Sequence, residues 1–291
     1  MVQQNNLRVA ITGANGFVAK NVRNYLHKSG LNLISISRKN FKTYLGERKI
    51  ILSNFEQKNI LSKVKNCNAL IHLIGTGRQT TDSTFENVNV NQTKRIIKIC
   101  KKAKIKKIIY ISGLGVTSKS TSAYFISKYN AEQEIIKSGL DYTILRASYI
   151  IGKNDPLTNN LNQQIKNGTI IVPGSGKYHL QPIFVLDVAK IILKAIISRK
   201  FSKKILELVG PETISFKDYV RIFKNKNTVK IKNIDLEKAY YDALHNPKSF
   251  FGIDDLNIMV GDFTGNHNKL KKISGFNFKT FREVLQSSSL T

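Results

Sequence analysis

The sequence has few cysteines, few acidic residues and no long apolar run. Cys67 and Cys100 are the only cysteines among 291 residues, and two cysteines outside any metal-ligand spacing form neither a disulfide framework nor a metal site. No run of 18 apolar residues predicts a membrane-spanning helix. Residues 1–6 lack the apolar segment of a secretory signal. These absences favour a cytoplasmic protein, with peripheral association at a membrane left open.

The shortage of acid leaves a large positive charge. Lysine and arginine number 47 and aspartate and glutamate 19, which gives a net charge of +28. Such a field attracts polyanions, acidic surfaces and anionic membranes, although a lysine-, isoleucine- and asparagine-rich composition is also what AT-rich coding produces. No aromatic RNA-binding motif accompanies the charge, so no specific nucleic-acid binding is expected. The candidate basic face comprises Lys94, Arg95, Lys98, Lys101, Lys102, Lys104, Lys106 and Lys107.

Short apolar runs alternate with amphipathic segments along most of the chain, and 41% of the residues are hydrophobic. Continuous β-branched runs separated by helices predict a parallel sheet covered on both faces. The fold class is therefore α/β, a doubly wound (Rossmann) sheet. Predicted strands are 7–12, 31–37, 50–52, 69–74, 107–112, 142–146 and 204–209, and predicted helices are 17–28, 84–102, 124–138 and 187–198.

The alternation weakens after Ser148. Residues 149–182 contain several Gly, Pro and Asn residues, and residues 211–291 lack strong strand patterns. We predict a dinucleotide-binding domain over 1–148, completed by about 183–210. Residues 149–182 and 211–291 would form a smaller, interleaved lobe, with a ligand cleft between the two.

A glycine-rich turn joins the first predicted strand to the first predicted helix. Gly13 permits the tight turn, and Gly16 lets the backbone approach a pyrophosphate at the positive end of the helix. The strand–turn–helix context is what makes this short motif informative. The residues predicted to contact the cofactor here are Thr12, Gly13, Asn15, Gly16, Phe17 and Val18.

The end of the second strand bears on the choice of cofactor. Folds that prefer NAD place an acid there for the ribose hydroxyls, whereas this chain has Arg38. A guanidinium suits the additional 2′-phosphate of NADP. NADP is therefore the predicted cofactor, with NAD possible.

Five motifs occur in order over about residues 7–215: TGxxGxxA, HLIG, YIS, YxxxK and ILRAS. Together they resemble the extended and atypical short-chain dehydrogenase/reductases, which include the NAD-dependent epimerase/dehydratase-like proteins. Residues 111–133, 181–189, 207–219 and, more loosely, 254–266 are most similar to the branch that contains the nucleotide-binding accessory subunit of respiratory complex I. The resemblance implies cofactor contacts from Ile74 and Gly75, an Asn at position 89 heading the long helix, and a catalytic set of Ser112, Tyr124 and Lys128.

Tyr124 and Lys128 are also informative by spacing. Residues four apart share one helical face, and a nearby ammonium lowers the pKa of a phenol so that it can act as an acid or a base. We therefore expect Lys128 to lower the pKa of Tyr124. In the family, the lysine also binds the nicotinamide ribose.

Two positions depart from the family pattern. Leu114 stands where active members usually carry a Ser or Thr that polarises the substrate oxygen, and leucine cannot donate a hydrogen bond. Asn54 stands near the position of an acid that often contacts adenine. His72 lies in an apolar strand and is expected to be a core residue rather than a ligand.

Three functions remain open at this point. The first is an NADP-dependent oxidoreductase or epimerase acting on a carbon that bears oxygen. The second is a catalytically silent NADPH-binding accessory or assembly subunit of a respiratory or membrane-associated complex. The third, less favoured, is polyanion binding by the basic face. The substrate and the oligomeric state are not specified by the sequence.

Overall fold

The computed structural model describes residues 7–52, 55, 60–224 and 228–286. Its main sheet has seven parallel strands in the order β11-β6-β5-β4-β1-β2-β3. The strands are β1 Arg8–Thr12, β2 Asn32–Ser37, β3 Arg48–Ile51, β4 Ala69–His72, β5 Lys107–Gly113, β6 Asp141–Ala147 and β11 Lys204–Leu208. The predicted doubly wound fold is confirmed.

Helices cover both faces of this sheet. They are α1 Phe17–Lys28, α2 Ile60–Val64, α3 Gln92–Lys102, α4 Ala123–Lys137 and, after an excursion of the chain, α6 Val185–Ile197. The α1 and α6 side shares a core with Leu270 and Phe278 from the C-terminal part of the chain. The opposite side is built on α3 and α4, and it contains both buried cysteines, Cys67 and Cys100.

The predicted long helix over 84–102 is not uniform. Its first part, Glu86–Asn91, is π-helical and continues directly into α3. A π-helical turn is wider than an α-helical one and is often found at functional sites. The prediction of one regular helix is therefore wrong at its N-terminal end.

The remaining elements, apart from the helix His267–Ser274, build a third core beside the sheet. Asp155 begins one of them by accepting a hydrogen bond from the backbone N–H of Thr158, with proline in the first turn, a favourable start for a helix. Where the two lobes divide stays a prediction. The elements are β7 Ile150–Ile151, α5 Pro156–Lys166, β8 Thr169–Pro173, β9 His179–Leu180, β10 Ile183–Phe184, β12 Ile214–Ser215, α7 Phe216–Lys224, β13 Lys230–Ile234, α8 Leu236–His245, α9 Ile253–Met259, α10 His267–Ser274 and α11 Phe281–Gln286.

Among the described residues, no helix combines the length and the apolar character that crossing a membrane requires.

Candidate functional site

A cavity of about 400 Å³ opens at the carboxyl ends of β1 and β4. The strand order reverses between these two strands, and ligands of open α/β sheets bind at such a point. The turn after β1, the end of β2 and the segment after β4 meet there. The lining residues include Gly13, Asn15, Gly16, Arg38, Ile74 and Gly75 from the predicted set, together with Ser37, Lys39, Phe55, Leu73, Thr76, Ser83, Val88 and Gln92.

Five residues of the predicted cofactor set do not line this cavity: Thr12, Phe17 and Val18 around the turn, and Tyr124 and Lys128 on α4. Thr12 is buried in β1, Phe17 packs toward Gly152 and the third core, and Val18 packs against the α1 and α6 core. For Phe17 and Val18 this leaves only the backbone N–H groups of the first helical turn to face a ligand.

The turn has the geometry that its glycines require. Gly13 has φ +72°, and a Cβ added there would lie 2.8 Å from the carbonyl oxygen of Leu73. At Gly16 the nearest obstacle to a Cβ is the Gly13 carbonyl oxygen at 3.3 Å. No side chain caps the N-terminus of α1, so its first N–H groups form an anion-binding end.

The outer end of the cavity is basic. Arg38 and Lys39 are exposed and line it directly after β2, and no acidic residue is found among its described lining residues. Asn54, which matters for the adenine contact, lies outside the described residues. The loop between β2 and β3 is fixed by Glu47, whose carboxylate accepts a hydrogen bond from Arg23 Nε at 2.6 Å.

Behind the turn lies a buried chain of hydrogen bonds. Thr93 Oγ1 donates to the carbonyl of Asn89 (2.6 Å) and accepts from His72 Nε2 (3.1 Å). His72 Nδ1 then accepts from the Thr12 hydroxyl at 2.8 Å. Burial lowers the pKa of His72 to about 3, with Lys128 acting in the same direction. His72 is a neutral core residue, as predicted.

Asn89 holds the segment after β4. Its Oδ1 accepts from the backbone N–H of Thr76 at 3.0 Å, and its Nδ2 donates to the Ser127 hydroxyl at 2.9 Å. Asn89 is fully buried within the π-helical segment. It therefore links the floor of the cavity to α4, which carries the predicted catalytic pair.

Lys128 is buried next to Gly75, which lines the cavity. Its Nζ donates to the Tyr110 hydroxyl (3.3 Å) and to the Ile111 carbonyl (3.2 Å). A Cβ added to Gly75 would lie 3.0 Å from that nitrogen, so a side chain there would require the ammonium to shift. Burial lowers the pKa of Lys128 to about 8, although Glu132 opposes the shift.

Tyr124 differs from the prediction. Lys128 Nζ lies 6.0 Å from its ring centroid and is hydrogen-bonded to Tyr110 instead. Burial raises the pKa of Tyr124 to about 12. The expectation that Lys128 lowers the pKa of this phenol is therefore wrong in this structure, because desolvation outweighs the ammonium at that distance.

The position at which active family members carry a Ser or Thr holds a side chain without a hydroxyl. Leu114 is buried. The Ser112 Oγ is also buried, and it has no hydrogen-bond partner among the described residues. Ser112 lies two residues after Tyr110 on β5, hence on the same face of the strand.

A second cavity of about 570 Å³ adjoins the first and shares Gly75 and Thr76 with it. A cleft between the lobes was predicted, but the residues that line this cavity were not, because they come from loops distant in the chain. The loose family resemblance over 254–266 was the signal that pointed to one of these loops. Its other lining residues are Gly77, Arg78, Tyr149, Pro156, Leu157, Asn160, Phe251, Asp255, Ile258 and Met259.

The first cavity fits a dinucleotide. Gly13 keeps the backbone clear where a Cβ would collide with the Leu73 carbonyl, the helix end offers N–H groups, and the basic end offers charge. The Gln92 Oε1 is buried without a partner among the described residues, and Gln92 lines this cavity. These features together suit a long ligand that carries phosphates and several polar groups.

The sequence matches a family model described as NAD(P)H-binding over residues 13–198. The mitochondrial NADH dehydrogenase [ubiquinone] 1 alpha subcomplex subunit 9 of Arabidopsis thaliana is 24% identical over 287 residues, covering 90% of this chain and 71% of that protein. Its Mus musculus counterpart is 28% identical over 211 residues, covering 69% of this chain and 56% of the mouse protein.

Solved structures share the fold at low sequence identity. MoeE5 in complex with UDP-glucuronic acid and NAD has a TM-score of 0.78 at 18% identity, covering 97% of each chain. A nucleoside-diphosphate-sugar epimerase from Staphylococcus aureus has a TM-score of 0.77 at 17% identity, covering 97% of this chain and 100% of the epimerase.

Proposed function

Because the chain belongs to the NAD(P)H-binding family, within the short-chain dehydrogenase/reductase superfamily, we propose that it binds NADP(H) and reduces a carbonyl compound. The observation that carries this proposal is the position of Lys128 Nζ against Gly75, a residue shared by the two cavities. A cofactor in the first cavity would thus meet a substrate in the second next to Lys128, one helical turn along α4 from Tyr124.

NADP is preferred over NAD in this proposal. Arg38 and Lys39 lie at the end of β2, where a 2′-phosphate would lie, and no described lining residue offers a carboxylate to ribose hydroxyls. A guanidinium–phosphate contact is charge-assisted and therefore stronger than a neutral hydrogen bond. The N–H groups at Phe17 and Val18 would hold the pyrophosphate, and Lys128 the nicotinamide ribose.

Tyr124 would act as the proton donor. With its pKa raised to about 12 by burial, the phenol keeps its proton throughout the physiological range, which suits an acid better than a base. When bound, the reduced nicotinamide supplies a hydride to the carbonyl carbon. Tyr124 gives its proton to the carbonyl oxygen, so that the C=O bond becomes an alcohol. Lys128, with a pKa of about 8, would return a proton to the phenolate.

A second function is favoured by specific observations. Leu114 removes a hydrogen-bond donor from the expected catalytic set, and the Arabidopsis and mouse relatives are named as subunits of NADH dehydrogenase. The alternative is a catalytically silent subunit in which NADPH stabilises the fold, docked on a larger complex or at an anionic membrane surface through part of its +28 charge.

One experiment separates the two. Native mass spectrometry of the purified chain would identify any retained NADP(H), and NADPH oxidation would then be followed with aldehydes and ketones. An enzyme should lose about 10²- to 10⁴-fold in turnover on Tyr124→Phe while still binding NADPH. Retained NADPH without turnover in either the wild type or Tyr124→Phe supports the accessory subunit. Turnover that is unchanged by Tyr124→Phe excludes Tyr124 as the acid.

A further inference from the structure

The second cavity has a wall made mostly of carbon. Leu157, Phe251, Ile258 and Met259 line it together with the ring of Tyr149. Its volume of about 570 Å³ is ample for a small organic ligand. A wall of this kind favours a ligand with an apolar skeleton, since each CH₂ group that leaves water for such a wall adds to the affinity.

The charged side chains of the wall are already paired. Arg78 donates from Nε to Asp255 Oδ1 at 2.6 Å, and a second nitrogen of the same guanidinium contacts Asp255 Oδ2. Arg78 is the cation among the described lining residues. A phosphate group entering here would have to compete with Asp255 for this guanidinium.

The neutral amide of the wall is also engaged. Asn160 Nδ2 donates to the Phe250 carbonyl and its Oδ1 accepts from Gln164 Nε2, both at 2.7 Å. Tyr149 differs, because its hydroxyl makes no hydrogen bond to another described residue. The wall therefore offers one neutral hydroxyl to a ligand, and no free cation among the described residues.

Carboxylates stand at the entrance between the lobes. Asp254 accepts from the backbone N–H of Gln79 at 2.8 Å, one residue from the Arg78–Asp255 pair. Two carboxylates, of Asp254 and Asp255, thus contact a segment that carries one guanidinium, so this edge of the cavity has excess negative charge although the whole chain is strongly basic. Like charges this close disfavour an anionic ligand.

From this arrangement we propose that the second cavity binds a neutral, carbon-rich carbonyl compound and discriminates against nucleotide sugars. The proposal rests on the proposed function in treating this ligand as the substrate. It differs from what a sugar-nucleotide enzyme needs, namely an unpaired cation for the diphosphate. The Arg78–Asp255 pair is the element that sets this selectivity.

The test measures binding without turnover. Octan-2-one and UDP-glucose would be titrated calorimetrically into the full chain in the presence of NADP⁺. We expect octan-2-one to bind at least about tenfold more tightly, which corresponds to about 1.4 kcal/mol. UDP-glucose binding as tightly as octan-2-one would overturn the proposal.

Two variants and a control identify the cause. Asp255→Asn frees Arg78 and should strengthen UDP-glucose binding about tenfold while octan-2-one changes less than about twofold. Leu157→Asp should weaken octan-2-one by about tenfold or more. Asp218→Asn removes the same charge from an exposed pair with Arg221 and should change neither affinity. Circular dichroism and NADPH affinity establish that each variant is folded, and a folded Asp255→Asn with unchanged UDP-glucose affinity would disprove the role of the pair.

The outcomes also separate this proposal from the proposed function. Octan-2-one binding without any NADPH oxidation leaves the cavity assignment standing and removes the enzymatic function. NADPH oxidation with some other carbonyl compound, combined with no octan-2-one binding, leaves the enzymatic function standing and removes the cavity assignment.

Discussion

The ammonium nitrogen of Lys128 lies 3.3 Å from the hydroxyl oxygen of Tyr110, in a contact between α4 and β5 where Lys128 is only 6% exposed. A phenol that is itself fully buried thus helps to keep a charged lysine inside the protein. The lysine's third donor direction is left for the cavity beside Gly75. Keeping the Lys128 ammonium buried lowers the stability of the folded protein, and the first prediction measures that loss.

Lys128→Met should stabilise the protein at pH 7 and weaken NADPH binding. Burial lowers the pKa of Lys128 from its usual 10.5 to about 8, so the unfolded chain binds more protons than the folded one between these values. Wild-type stability therefore rises with pH over this window, and the variant's advantage, on the order of 1–3 kcal/mol, should shrink. Thermal midpoints at pH 7 and pH 9.5 check the sign, and a variant less stable at pH 7 would contradict it.

Arg38→Ala should weaken NADPH binding far more than NADH binding. Losing one charge-assisted contact to the 2′-phosphate costs about 1.5–3 kcal/mol, which is roughly 10- to 150-fold in Kd. Lys39→Ala is the matched control, since Lys39 also lines the cavity but is a less suitable partner for bidentate phosphate contacts. Equal wild-type affinities for the two cofactors would argue against the NADP assignment.

The two glycines of the turn should respond differently to substitution. Gly16→Val should leave the fold intact and abolish cofactor binding, because the added side chain occupies the approach to the pyrophosphate. Gly13→Val should destabilise the protein itself, since it combines φ +72° with a 2.8 Å contact to Leu73. Circular dichroism and NADPH titration on both variants separate these effects. Undiminished NADPH affinity in folded Gly16→Val would place the pyrophosphate elsewhere.

The sheet could be predicted from sequence because its strands are buried on both faces and therefore read as continuous apolar runs. The glycine turn could be found because its residues are consecutive. The partner of Lys128 could not, since Tyr110 reaches it across a strand–helix contact that spacing does not specify. The lining of the second cavity could not be predicted for a related reason: it depends on the approach of residues 76–78, 149–160 and 251–259, and the sequence predicted a cleft between the lobes without specifying which of these residues meet there.

The limits of two helices also show which features could be predicted from the sequence and which could not. The helix at Phe17–Lys28 was predicted with its observed limits, because a glycine turn precedes it and Gly30, with φ +79°, follows it. The π-helical start of the long helix was not predicted. Its side chains are placed by contacts such as Asn89 with Thr76 rather than by a periodicity that the sequence displays.

Glu47→Gln should destabilise the protein markedly. The side chains of Arg23 and Glu47 are 2% and 0% exposed, and removing one member of a buried pair leaves an uncompensated charge, at a cost of about 3–5 kcal/mol. Although burial acts to raise the pKa of Glu47, hydrogen bonds from Arg23, Ser35 and the Tyr44 N–H hold it below its usual 4.5. The pair's contribution is therefore present above pH 4.5 and lost as the pH falls through the lower value.

Urea unfolding at pH 7 and at pH 3 measures this contribution. The difference between wild type and Glu47→Gln should be large at pH 7 and smaller at pH 3. As a control, Asp218→Asn removes a carboxylate from an exposed pair and should change the stability little, because solvent screens such pairs. A Glu47→Gln protein as stable as the wild type at pH 7 would show that the network contributes nothing.

The two cysteines have a practical consequence for following the molecule in time. Both thiols are enclosed, and burial raises the pKa of Cys67 to about 11 and that of Cys100 to about 12, so neither forms a reactive thiolate in the closed protein. A thiol reagent can therefore modify them only after the α3 and α4 side has separated from the sheet. With reagent in excess, the rate of modification reports the rate of that opening. A ligand that binds only the closed protein should lower the rate of thiol modification in proportion to its occupancy. No label has to be introduced for this measurement.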